Sequence, residues 1–169
     1  MRKILIVCVL AAWGLPIWCK PIDENTARKV AGEVLMRSAE KQKDADATQW
    51  KGEDLQPLKL VYKSSSKTME GRRESADAEI VYFYVFVTAD NSGFVIVSGD
   101  DRAAPVLGYS LSNGFSVENM PENAAWWLGE YAKQIAYAIE NNLEQTQEVR
   151  QQWERYLKEV DNNEKIGGK

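Results

Sequence analysis

The 169-residue chain contains no histidine. That absence removes serine, cysteine and threonine nucleophiles that act through an imidazole base, and with them every imidazole-ligated metal site. Carboxylates keep some chemical capacity, and Asp100-Asp101 invites comparison with a calcium corner or half of a glycosidase pair. A calcium loop needs more oxygen ligands at alternating positions, and glycoside hydrolysis needs a second acid across a cleft, so the pair reads as a solvated turn. Gly71-Arg72-Arg73 lies in a polar stretch and offers a protease-accessible step, although exposed basic pairs usually have no such role. The expectation is a domain with no catalytic residues, no cofactor and no metal, whose chemistry is recognition.

The elements that must position any recognition surface follow from periodicity. Asp23 to Ala39 places Ala27, Val30, Ala31, Val34 and Leu35 at helical spacing, with Asp23 or Asn25 as cap. Lys41 to Gln56 is polar apart from Trp50 and reads as a connector. Leu58 to Lys63 alternates as a short strand, and Ser64 to Ala78 is nearly devoid of apolar residues and reads as a loop. Ile80 to Val87 is apolar on both faces of any strand it forms, so it belongs in the centre of a sheet. Asp90-Asn91-Ser92-Gly93 is turn chemistry, and Phe94 to Ser98 returns as the second arm of a hairpin. Gly99 to Arg102 turns again into a strand over Val106 to Ser110.

Beyond Pro121 the period changes from two to 3.6. Ala124, Trp127, Leu128, Tyr131, Ile135, Ala138 and Ile139 make an apolar stripe on a helix that opens near Pro121-Glu122 and weakens at Asn141-Asn142. Val149, Trp153, Tyr156, Leu157 and Val160 repeat the pattern, and Asn162 to Lys169 reads as a frayed tail. The order predicts an α+β fold, an antiparallel sheet packed with an N-terminal helix and two C-terminal helices.

Arg2 and Lys3 precede an apolar run, Ile4 to Leu15, too short to span a bilayer, which is the pattern of a secretory signal. Residues 1–19 are expected to be the signal and residues 20–169 one domain, secreted or periplasmic, with no transmembrane segment in the mature chain. Cleavage after Gly14 is the other option. Lipidation at Cys19 is disfavoured by the bulky Trp18 before it. Loss of residues 1–19 moves the formal charge from −4 to −6, which argues against a nucleic-acid partner. Cys8 and Cys19 both lie in or beside the signal, so no internal disulfide forms in the mature chain, and stability must come from burial.

Phe94-Val95-Ile96-Val97-Ser98-Gly99-Asp100-Asp101-Arg102, then Pro105 to Ser110, Gly114-Phe115, Glu122-Asn123-Ala124, and Tyr131, Gln134 and Ile135 together resemble the propeptides and stand-alone inhibitors of the streptopain family of cysteine peptidases. The resemblance runs from about Tyr84 to Asn142. It implies a streptopain-propeptide-like fold and a streptopain-like cysteine peptidase as partner. In that family the propeptide lies across the active-site face, and an asparagine at a helix start pushes the catalytic histidine from its cysteine. The matching position is Asn123, preceded by Glu122, while Met120 and Pro121 stand where the family varies. Met120, Pro121, Glu122, Asn123 and Trp126 are therefore the expected protease-binding residues. A neutral amide pairs with pocket groups without burying charge, but in a helix's first turn the same amide also bonds local backbone. Trp126 and Trp127 are about 100° apart on a helix, so only one can point fully inward. Trp126 is then either an exposed anchor or a ring against the sheet edge. The alternatives to an inhibitor are a propeptide or folding-assistant domain of a longer peptidase, and a surface binding module unrelated to proteolysis.

Overall fold

The structure, a computed structural model, describes residues 19–43, 58–68 and 79–167. Helix α1 spans Glu24–Lys43. Asp23 caps it, accepting the Thr26 N–H at 3.0 Å and the Thr26 hydroxyl at 2.7 Å, and these bonds hold its carboxyl below the usual carboxylate range. The five residues of its predicted stripe, Ala27, Val30, Ala31, Val34 and Leu35, are all buried. The helix outruns its predicted end at Ala39, because Glu40 to Lys43 are good helix formers. The rest of the connector, with Trp50, and the Gly71-Arg72-Arg73 step lie outside the described residues.

Four strands follow: β1 Lys59–Ser65, β2 Val81–Val87, β3 Phe94–Ser98 and β4 Val106–Ser110. They form one antiparallel sheet in chain order, β1-β2-β3-β4. β1 runs two residues past its predicted end, because Ser64 and Ser65 pair with Phe83 and Val81. β2 is central and buried from Tyr82 to Val87. Tyr84 and Phe86, with Val95 and Val97 of β3, pack against α1 and Trp153. Phe83 and Val85, with Ile96, pack on the other face against Leu128, Ala132, Ile135 and Ala136. The sheet thus lies between α1 and α3 on one side and α2 on the other, where α2 spans Glu122–Glu140 and α3 spans Gln147–Gly167.

Helix α3 buries Trp153, with Val149 and Tyr156 half-covered against the same cluster. Leu157, expected in its apolar stripe, is exposed. The frayed tail expected from Asn162 is instead helical through Gly167, since no proline or glycine interrupts the segment before that point.

Asp100 is not the solvated turn residue that its sequence context suggests. It is 3% exposed, and its carboxylate accepts Arg102 Nη1 at 3.0 and 2.9 Å and the Arg102 N–H at 3.0 Å. Arg102 also donates from Nε to the Leu143 carbonyl at 3.1 Å and from Nη2 to Asn142 Oδ1 at 3.2 Å. Gln145 donates to the Asp101 carbonyl at 2.6 Å, and the Trp153 indole donates to the Ala103 carbonyl at 2.9 Å. The turn after β3 is therefore bonded to the α2–α3 connector and to α3. Its approach to β2 is equally close, because a Cβ on Gly99 would sit 2.4 Å from the Val81 carbonyl.

The β2–β3 turn fixes the loop that leads into α2. Asn91 adopts a left-handed conformation, φ 56°, and its Oδ1 accepts the Phe115 N–H at 3.1 Å. Phe115 meets Phe94 edge-on at 5.6 Å. A Cβ at Gly114 would lie 2.1 Å from the Asn91 carbonyl, so only glycine lets the loop close on the turn.

Two outcomes follow. Arg102→Ala leaves the Asp100 carboxylate buried without its cation and should lower unfolding free energy by about 3–5 kcal/mol, read from urea denaturation. Gly114→Ala should cost about 1–3 kcal/mol in the same experiment and displace the amide resonances of Phe115 and the first turn of α2. A Gly114→Ala protein with unchanged stability and spectrum would rule out the close approach.

Candidate functional site

The expected site residues occupy the entry and first two turns of α2. Met120 is half-buried and packs with Phe115 against the cluster beneath this helix, so it seats the entry segment instead of presenting a side chain. Pro121 is the N-cap, with φ −58° and ψ 143°, and its carbonyl accepts the Ala125 N–H at 3.0 Å. Proline cannot cap with a side chain, which leaves the first-turn N–H groups of α2 to other partners. Glu122 is exposed in that turn, where its carboxylate complements the positive end of the helix dipole.

Asn123 is exposed, and its Oδ1 accepts the Ala124 N–H at 2.9 Å. The local backbone bond anticipated for an amide in a first turn is thus present. It uses only the oxygen, and the Nδ2 group makes no bond to any described residue.

The tryptophans depart from expectation. Neither points inward: Trp126 is 61% and Trp127 56% exposed. The buried stripe of α2 is Leu128, Ala132, Ile135 and Ala136, rotated from the predicted one so that Trp127 falls outside it. Alanines at 132 and 136 let the helix lie close to the sheet, and a ring as large as indole does not fit along that line. Trp126 is accordingly not against the sheet edge. The two indoles meet edge-on at 5.4 Å, and Trp127 lies 6.2 Å from the Tyr131 ring. Tyr137, two turns further on, is 61% exposed.

The structure therefore brings Pro121, Glu122, Asn123 and Trp126 together on one exposed helix end and withdraws Met120 into a supporting position. It adds Trp127 and Tyr131, which sequence reasoning assigned to the core. The signal that could have found them is the alanine spacing, since a helix with small residues at 132 and 136 has a narrow buried seam. Apolar rings grouped beside an amide and a carboxylate make a surface suited to burying area against a partner while satisfying polar groups at its rim. Among the described residues there is no cluster of potential metal ligands, and no helix is long and apolar enough to cross a membrane.

Comparison with known proteins identifies the family. The family model described as Spi protease inhibitor matches residues 19–135, which include the whole sheet and most of α2. The chain is 28% identical over 92 residues to thiol protease/hemagglutinin PrtT of Porphyromonas gingivalis, covering 54% of this chain and 11% of that protein. It is 46% identical over 52 residues to streptopain of Streptococcus pyogenes, covering 31% of this chain and 13% of that protein. The matched segments thus span about an eighth or less of these relatives. No solved structure matches significantly. The chain belongs to the Spi protease inhibitor family.

Proposed function

We propose that this domain is exported and inhibits a streptopain-like cysteine peptidase by laying the N-terminal turns of α2 across the enzyme's active-site face. The observation that carries the reading is the exposure of Trp126 and Trp127 beside Asn123, in a domain of a protease-inhibitor family. Two large rings held out of the core, on a helix already seated by Leu128, Ala132, Ile135 and Ala136, gain most by burial against a partner. The Asn123 Nδ2 group is a neutral donor that enters a pocket without desolvating a charge. Glu122 suits the polar rim. A tight protease complex buries about 1,600 Å² in total, which the entry loop and one face of α2 can contribute to from this side.

A second reading has its own support. Both relatives named above are much longer than the segment matched, and the first is itself a thiol protease by name. The same surface working within a longer peptidase, or assisting its folding, uses the same contacts in cis. A surface module unrelated to proteolysis uses neither.

The chain should inhibit a streptopain-like peptidase stoichiometrically in a titration of activity. Trp126→Ala should weaken inhibition roughly 30-fold or more, the effect of losing a buried tryptophan anchor. Asn123→Ala should weaken it about tenfold. Since both side chains are exposed, neither change should move the unfolding midpoint appreciably. Full inhibition by both variants would move the site off α2, and no inhibition at micromolar excess would defeat the proposal. Refolding the denatured peptidase with and without the chain separates the second reading, since only a folding assistant raises the yield.

A further inference from the structure

The described chain begins with a short extended segment paired to the turn after β3. Pro21 faces Asp100 in an isolated antiparallel bridge, flanked by Ile22 N–H to the Gly99 carbonyl at 2.8 Å and Asp101 N–H to the Lys20 carbonyl at 3.1 Å. A proline has no N–H to give, and this bridge asks for none at that position, so the pairing loses nothing. One further bond lies at its end: the main-chain nitrogen of Lys20 donates to Asp101 Oδ1 at 2.8 Å. A carboxylate is thus aimed at the backbone nitrogen of the residue that follows the signal-like segment.

We propose that the Cys19–Lys20 peptide bond is a processing site, and that Asp101 is the receptor for the α-ammonium of Lys20 that processing releases. The reaction is hydrolysis by a signal peptidase. Water adds across the amide, the C–N bond breaks, Cys19 leaves with the new carboxylate, and Lys20 keeps an amine that takes a proton from solvent. An α-amino group titrates near pH 8, so the new terminus is charged at neutral pH.

The environment of Asp101 favours that outcome. Burial pushes its carboxyl above the usual range, and the Lys20 N–H is the strongest of the groups that oppose this. Asp100 adds repulsion, while Arg102 and the Lys20 side chain attract more weakly. Arg102 is itself committed to Asp100. In the uncut chain, the half-buried carboxylate therefore receives at this position a neutral amide donor. Cutting at Lys20 puts a full positive charge on the same atom with no change of position, because the Lys20 carbonyl stays fixed in the bridge. A cut at any earlier bond leaves an amide there and carries the charge away. The ion pair also ties processing to the segment where the Arg102 and Gln145 bonds join the sheet to the α2–α3 connector.

The test compares three forms of the protein. The first is the product exported from cells carrying the full chain, whose N-terminal residue is read by mass spectrometry. The second is the chain beginning at Lys20 with a free amine. The third keeps one preceding residue, with Cys19→Ala, so that the N–H to Asp101 bond survives without the charge. The exported product should begin at Lys20, and the free-amine form should unfold roughly 2–4 °C above the extended form. Asp101→Asn should abolish that difference. Nα-acetylation of the Lys20 form, which removes the charge and keeps the N–H, should do the same and gives the answer even where Asp101→Asn does not fold. An exported product with another N-terminus, or equal midpoints for the free and extended forms, overturns the proposal. The outcome is independent of whether the domain inhibits a peptidase.

Discussion

A strand that is apolar on both faces has to be covered on both faces, and β2 imposes that requirement on the rest of the chain. Tyr84 and Phe86 point one way and Phe83 and Val85 the other. Each large side chain contributes about 1.5–3 kcal/mol only when fully removed from water. One layer of helix satisfies half of them. The molecule therefore needs an amphipathic helix before the sheet and at least one after it on the opposite face, and α1 and α2 meet those demands. Helix α3 completes the α1 side with Trp153. The sheet order needs no crossover, because each helix covers its face from outside a simple meander.

The two layers are joined by a polar turn and not by apolar contact alone. Asp100 and Arg102 are nearly buried, with side-chain exposures of 4% and 11%, and a buried pair of this kind is tolerable only when its remaining hydrogen-bonding capacity is used. It is used: the guanidinium reaches both Asn142 and Leu143 in the connector that carries the chain from α2 to α3, around the edge of the sheet. The orientation of α2 is set in this way from its C-terminal end, while the Asn91 contact to Phe115 sets it from its N-terminal end. Between those two points the buried seam of the helix leaves little freedom of rotation.

The fold was legible in the sequence wherever a single requirement dominated. The two-sided apolarity of residues 80–87 identified the central strand, the five-residue stripe identified α1, and turn residues placed the hairpin. Legibility failed where polarity has two meanings. Glu40 to Lys43 and Asn162 to Gly167 continue their helices, yet composition alone made them a connector and a tail. Asp100 is polar because it is paired inside, which no local pattern reports, since the Arg102 that pairs with it is held by Asn142 and Leu143, some forty residues on. In the candidate site, the position of Glu122 and Asn123 at a helix start could be read directly. The outward turn of Trp127 could not, because hydrophobicity marks a residue that avoids water without saying whether core or partner provides the shelter.

That last ambiguity bears on how such a domain can serve as a binding module. On α2 the residues that hold the helix to the sheet are small or aliphatic and lie on one narrow seam, while the residues with the largest contact area lie off it. Folding and recognition therefore draw on different side chains of the same helix. Changes among Glu122, Asn123, Trp126 and Trp127 leave the seam intact, whereas changes among Leu128, Ala132, Ile135 and Ala136 alter the angle at which the whole surface is presented. A rigid platform of this kind also limits the entropy lost on binding, because the indoles already rest against each other, and Trp127 against Tyr131, before any partner arrives. The separation of seam from surface makes the exposed rings an asset to a binding domain rather than a defect of its packing.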